Sequence, residues 1–355
     1  MFRVIEELLN NESPYSLEKE IKHNLFLENQ EKLFDHHKNS CKEYKNLFGN
    51  QKFSFHSLSE IPFIPVRLFK MLDLISIHEK NIFRTMTSSG TSGQSVSKIF
   101  LDKNSAYFQS KVLAHIVSEF IGKKRLPMLI VDQENILKSD LKFSARAAGI
   151  LGFSTFGKKP SYALDNNLLV KEKEIKRFLA ENDYNPLFLF GFTFIVYKYF
   201  SKVMESLDFK FPSGTTLIHG GGWKKLFNER ITNDQFKKSL YSSGISNVHD
   251  YYGMIEQTGS IFMECEQGFF HCSNFSEIVI RDDMNHQDLG FNKKGIIQVL
   301  SLLPISYPGQ SLLTEDMGQI FGEDDCECGR KGKYFKVYGR MKAAEIRGCS
   351  DVRQA

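Results

Sequence analysis

Seven small residues, Thr87-Ser88-Ser89-Gly90-Thr91-Ser92-Gly93, stand between the apolar runs 81–86 and 96–101. Glycine lets the backbone approach a ligand and visit positive φ, while serine and threonine add hydroxyl donors, so such a loop can wrap a polyphosphate. The same residue types also build ordinary turns. It is not a Walker A loop, because the glycine–lysine–hydroxyl order is missing and the nearest lysine is Lys98. A second glycine run, His219-Gly220-Gly221-Gly222-Trp223, follows a short apolar stretch, as at the carboxyl edge of a sheet where backbone meets ligand. Asp250-Tyr251-Tyr252-Gly253-Met254-Ile255-Glu256 sets an aromatic ring and a carboxylate a few residues apart. The ring can stack on a base, and Glu256 can hold Mg²⁺ beside phosphates. Asp316, in Thr314-Glu315-Asp316-Met317-Gly318, offers a carboxylate to sugar hydroxyls, and Arg340, after Gly339, offers a guanidinium to phosphate or ribose.

The six cysteines are Cys41, Cys265, Cys272, Cys326, Cys328 and Cys349, with five in the last third of the chain. Clustering of that kind argues for metal binding or thiol chemistry rather than a disulfide framework. Cys265 and His271, then Cys326 and Cys328, present soft ligands in two pairs on turn-rich segments, which suits structural zinc. Cys272 is the alternative to His271 as fourth ligand, and reduced, partly buried thiols are the competing reading.

Helices and strands must carry these residues to one another. Residues 1–75 read as mainly helical: Ser16 can cap an amphipathic run through Phe34, with Ile21, Leu25, Phe26 and Leu33 near helical spacing. Pro62 and Pro65 then hold an extended segment before Val66-Arg67-Leu68-Phe69-Lys70, a region that reads as packing. Strands are expected at 99–102, 126–132, 186–189, 215–219 and 247–251, with helices at 105–121, 193–206 and from about Lys225. That alternation reads as an α/β sheet with helices on its faces. Beyond Ile261 short strands take over, at 277–280, 295–300 and 334–338.

Of the 355 residues, 41% are hydrophobic and 25% charged, ordinary for a globular chain long enough to bury a large core. A formal charge of +4 without a basic, aromatic-interleaved stripe argues against a nucleic-acid partner. The N-terminus carries acids and lacks a signal-peptide core, so a cytoplasmic location is expected. The most apolar run, 186–200, is broken by Gly191 and Lys198 and is too short to span a membrane. Its Phe188, Phe190, Phe192 and Phe194 read as core.

Taken together and in this order, the motifs resemble the ANL adenylate-forming superfamily. Loop 87–93 matches its phosphate loop, and Tyr252, Gly253 and Glu256 match its Tyr-Gly-x-Thr-Glu motif, with Ile255 in the threonine position. Asp316 matches its ribose aspartate, and Gly339-Arg340 its hinge motif. Within the superfamily, the stretches 60–70, 87–93 and 220–224 look like LuxE-type acyl-protein synthetases, with similarity also to phenylacetate–CoA ligase-like proteins. The resemblance implies an α/β, ANL-type adenylation domain with a helical N-terminal region (1–75), an adenylate-forming core (76–339) and a hinge motif with a short cysteine-bearing tail (340–355). With its β-rich C-terminal part, the domain would lack the full mobile C-terminal domain and its lysine; Lys98 and Lys224 are the candidates to supply a charge instead, with ordinary surface lysines as the competing reading. It further implies ATP and Mg²⁺ as cofactors, a fatty or other carboxylic acid as substrate, capture of the acyl group by Cys349, and transfer to an acyl reductase partner. Arg340, Lys342 and Arg347 would favour the Cys349 thiolate. An acyl- or aryl-CoA ligase or transferase of a polysaccharide or lipid pathway, and a non-catalytic nucleotide-binding relative, are the alternatives.

Overall fold

A run of five to seven residues with no polar face must be covered on both sides, and three such runs set one half of the architecture. The computed structural model describes residues 1–49, 53–88, 95–137, 145–207, 210–222 and 231–341. Pro127–Gln133, Phe188–Phe192 and Thr216–Gly220 are buried strands, as their composition requires. They belong to a compact unit whose described residues are 117–137, 145–207, 210–222 and 231–252. Its strands are all parallel, in the order Lys158–Leu164, Pro127–Gln133, Phe188–Phe192, Thr216–Gly220, Asn247–Tyr252. The chain runs outward from Pro127–Gln133 to one side and then returns to the other, so the order reverses between that strand and Phe188–Phe192.

Helices Ala145–Ser154, Glu172–Glu181 and Asn233–Tyr241 alternate with these strands. The last is opened by a capping box: Thr232 Oγ1 accepts from Gln235 N at 3.2 Å, and Gln235 Oε1 accepts from Thr232 N at 2.9 Å. The expected helix after Phe192 forms, with a π-helical turn at Val196–Ser201. Phe188, Phe190, Phe192 and Phe194 are all buried. The helix expected from Lys225 lies outside the described residues.

The described residues of the second unit are 1–49, 53–88, 95–116 and 253–341. Its sheet is antiparallel in the order Ser276–Arg281, Gly295–Ser301, Ser311–Glu323, Lys333–Arg340, Phe270–His271, Phe262–Glu264. Ile64–Pro65 adds to it, pairing in parallel with Leu312 and Leu313. Arg84–Thr87 and Lys98–Leu101 form a separate hairpin, with Thr87 opposite Lys98. Among the described residues, no helix is long and apolar enough to cross a membrane.

The long helix of this unit, Lys19–Ser40, departs from the expected one in three ways. It runs past Phe34, and its N-cap is Glu18 without a side-chain cap bond; Ser16 instead accepts from Asn274 Nδ2 at 3.2 Å. Ile21, expected inside, is 58% exposed, while the neighbouring Lys22 is 1% exposed. The reason is that much of what this helix packs against is polar backbone. Gln30 donates to the carbonyls of Ser301 and Gln310 (3.0 and 3.3 Å), His36 Nε2 to Ile305 (2.9 Å) and His37 Nε2 to Pro304 (3.1 Å). Buried carbonyls need such donors, and an all-apolar helix face would leave them unpaired. Lys22 Nζ meets Glu277 Oε1 at 2.7 Å, and Lys333 Nζ meets Glu277 Oε2 at 3.1 Å.

Candidate functional site

In the antiparallel unit, a short 3₁₀ turn, Ile255–Gln257, carries Glu256, which is 5% exposed. Gln257 fixes the turn by donating through Nε2 to the carbonyls of Val299 (3.2 Å) and Gly309 (2.9 Å). Gly309 is required there, because a Cβ would stand 2.6 Å from the Glu256 carbonyl oxygen. Burial pushes the Glu256 carboxyl above the usual carboxylate range, opposed by neighbouring Ser97 and by the charges of Lys70 and Arg340. A buried carboxylate with cations around it is poised to exchange them for a metal ion or for a metal-bound phosphate.

Ser97 also closes the base of the small-residue loop. Ser88 N donates to Ser97 O at 2.9 Å, and Ser97 N donates to Ser88 Oγ at 2.8 Å. Of the residues assigned to phosphate, Ser88 is thus placed at the mouth of the hairpin, its hydroxyl hydrogen still available to donate. Ser89, Gly90, Thr91, Ser92 and Gly93 lie outside the described residues, as do Trp223, Lys224, Lys342, Arg347 and Cys349.

Asp316 and Arg340 are cross-strand partners, with Asp316 Oδ1 3.9 Å from Arg340 Nε. Thr314 positions the carboxylate's backbone: its hydroxyl donates to Ile297 O at 2.7 Å and accepts from Asp316 N at 3.1 Å. The sugar-binding and guanidinium candidates, far apart in sequence, are therefore brought side by side on two neighbouring strands. Lys98, a candidate for a supplementary charge, pairs with Asp73 at 3.3 Å.

In the parallel unit, Gly220, Gly221 and Gly222 follow the strand carrying His219, as the apolar pattern suggests. Gly221 has φ +84°, and a Cβ there would lie 2.4 Å from the Phe192 ring. Gly222 has φ +61° and open space where its Cβ would stand. The run is therefore more than filler: one glycine is held by packing and conformation, the next faces space. Thr193 Oγ1 donates to Gly220 O at 3.1 Å and lies 3.0 Å from His219 Nδ1, tying the run to the start of the helix after Phe192. Tyr252 ends its strand in this unit; Gly253 begins the next segment of the antiparallel unit, where a Cβ would be 2.8 Å from Ile261.

Four of the cysteine and histidine candidates come together. The ligand atoms of Cys265, His271, Cys326 and Cys328 all lie within 4.8 Å of one another. Cys265 Sγ is 4.0 Å from Cys326 Sγ, and Cys328 Sγ is 3.4 Å from His271 Nε2. Tight turns aim the thiols: Gly268 N donates to Cys265 O at 3.0 Å and Gly329 N to Cys326 O at 2.9 Å. Burial and the neighbouring thiols push Cys326 up to about 12, and burial holds His271 down to about 4. Three thiols held this close cannot ionise together without a cation between them, and four such ligand atoms are the number a tetrahedral metal site requires. Cys272, the alternative fourth ligand, is buried apart from the cluster, next to Lys22 and Glu277.

These observations meet an independent one: the profile described as "Acyl-protein synthetase, LuxE" matches residues 2–355. The chain belongs to the LuxE acyl-protein synthetase family. It is 26% identical over 318 residues to a long-chain-fatty-acid–luciferin-component ligase of Aliivibrio fischeri, covering 85% of this chain and 80% of that protein. A ligase of the same description from Vibrio harveyi is 22% identical over 307 residues, covering 82% and 77%. The fold is similar to that of crystalline 2-hydroxyisobutyryl-CoA ligase in complex with its acyl adenylate and CoA, with a TM-score of 0.68, 14% identity, and 93% and 77% of the two chains covered. This LuxE-family chain is thus an enzyme with the fold of adenylate-forming ligases. Lys70, which reads from sequence as part of a packing segment, is the residue of the Glu256 surroundings that sequence reasoning passed over. The only sequence signal was its place at the end of the 60–70 stretch that resembles LuxE-type proteins.

Proposed function

We propose that the enzyme activates a long-chain fatty acid with ATP and then carries the acyl group on a cysteine. A carboxylate oxygen attacks the α-phosphorus of ATP, pyrophosphate leaves, and acyl-AMP forms. The Cys349 thiolate then attacks the acyl carbon, AMP leaves, and the thioester passes its acyl group to a reductase partner. The observation that carries this reading is Glu256: a buried carboxylate that feels the charges of Lys70 and Arg340 and neighbours Ser97, which closes the base of a hydroxyl-rich loop. Glu256 would hold Mg²⁺, which screens the charge of the polyphosphate during attack. Loop residues 88–93 would bind phosphate, Asp316 the ribose hydroxyls, and Arg340 phosphate or ribose. Gly220, Gly221, Gly222, Tyr252 and Gly253 are assigned to ATP by the resemblance. The names of the two luciferin-component ligases support a long-chain fatty acid as the substrate, and the reaction is proposed to run in the cytoplasm with an acyl reductase as partner.

The Cys265–His271–Cys326–Cys328 cluster would hold zinc in a structural role, its four protein ligands leaving no open position for chemistry. Metal analysis of protein purified without an affinity metal is expected to give about one zinc per chain, and chelation is expected to lower the melting temperature. Less than about half an equivalent of zinc would contradict the assignment.

Acid-dependent ATP–pyrophosphate exchange tests the activation step. Exchange is expected with long-chain fatty acids and without CoA. Formation of free acyl-CoA on adding CoA would favour a CoA ligase, and no exchange with any acid would favour a non-catalytic nucleotide binder.

A further inference from the structure

The segment 60–70 acquires chemistry once folded. Ile64 and Pro65 pair with Leu312 and Leu313, so the chain leaves the sheet alongside Thr314, Glu315 and Asp316 and turns into the 3₁₀ helix Val66–Lys70. Phe69 anchors that helix: it is 1% exposed and meets the Tyr307 ring edge-on, with centroids 6.0 Å apart. Tyr307 is itself fixed by Gln109 Nε2, 3.3 Å from its hydroxyl, and Gly309, two residues on, packs against the Glu256 carbonyl. The anchoring of Phe69 therefore sets where Lys70 stands relative to the Glu256 turn. Neighbouring cations are already matched, Arg67 with Glu315 at 3.0 Å and Lys98 with Asp73 at 3.3 Å. Half-buried Lys70 has no carboxylate within 4.0 Å among the described residues, although Glu256 feels its charge. A half-buried ammonium with no carboxylate partner among the described residues has charge to offer a further anionic group.

We propose that Lys70 is a cation for the nucleotide's phosphates, binding them in the ground state and stabilising the charge that builds up as pyrophosphate leaves. This rests on the reading of the enzyme as ATP-dependent. Its strongest effect is expected on groups beyond the α-phosphate, since those carry most of the charge.

The experiment compares MgATP and AMP affinity, and pyrophosphate exchange, in the native chain, Lys70→Met, Lys70→Arg and the exposed-surface control Lys45→Gln. Lys70→Met is expected to weaken MgATP about tenfold with AMP affinity changed less than about twofold, and to slow exchange about a hundredfold. Lys70→Arg is expected to recover much of both, and Lys45→Gln to match the native chain. Equal weakening of ATP and AMP, or exchange within about twofold of native in Lys70→Met, would overturn the role. If Lys70→Met does not fold, Lys70→Gln takes its place with the same expectations. A native chain with neither ATP binding nor exchange would instead refute the reading of function on which the proposal stands.

Discussion

At the scale of single residues, the account turns on Glu256, where stability and function oppose each other. Burial raises its pKa, so folding favours the neutral form. The stability this gives is fully present below the ordinary carboxylate pKa and is lost as pH rises through the elevated value. Ionising the side chain within the fold is therefore a cost to stability. Glu256→Gln is expected to raise the melting temperature by a few degrees while cutting pyrophosphate exchange by about a hundredfold or more. Calorimetry beside the exchange assay checks both, and a less stable Glu256→Gln would show that the carboxylate serves the fold. Glu256 and the cysteine cluster were legible in sequence because their types and spacing are themselves chemical. Lys70 was not, because a lysine in a segment that reads as packing gains meaning only from a turn far along the chain.

Among elements, the helix Lys19–Ser40 shows where sequence patterning stops. Its existence follows from periodicity, and Phe26 and Leu33 are inside as expected. Which face carries the polar residues does not follow, because Lys22 is buried only by virtue of Glu277 and Gln30 by virtue of two carbonyls. Burial alone would raise the Glu277 carboxyl, but Lys22 and Lys333 outweigh it and hold it below the usual range. Its stabilising contribution is thus present above the ordinary carboxylate pKa and lost as pH falls. Glu277→Gln leaves two ammoniums facing each other and is expected to cost about 3–5 kcal/mol, whereas Lys22→Met, which leaves Lys333 in place, is expected to cost less. Urea denaturation of the two variants checks the order; a greater loss in Lys22→Met would contradict it. The strands were legible only in part: those expected form with ends shifted by up to three residues, while Lys158–Leu164 and Ser311–Glu323 were not expected. Nor was the short Ile64–Pro65 addition, since two residues carry no periodicity.

Across the whole molecule, buried neutral histidines set the response to acid. Burial, with His36 beside it, pushes His37 down to about 3 despite its bond to Pro304 O; burial, with Lys237 and His249, does the same to His219. Both are neutral in the fold, so stability is full above the ordinary value of 6.5 and is lost as pH falls toward 3, where the unfolded chain takes up the protons. Each histidine contributes a slope of about 1.4 kcal/mol per pH unit in that window. Urea midpoints at pH 7.5, 6 and 5 are expected to fall steadily, and a flat profile would contradict the buried neutral state.

The central claim, that an acid is activated and then held on a cysteine, is tested most directly by incubating the chain with ATP, Mg²⁺ and a labelled long-chain fatty acid. The account predicts a hydroxylamine-labile label that requires ATP, maps to the peptide carrying Cys349 and disappears in Cys349→Ser while pyrophosphate release persists. A hydroxylamine-labile label that survives in Cys349→Ser would contradict it.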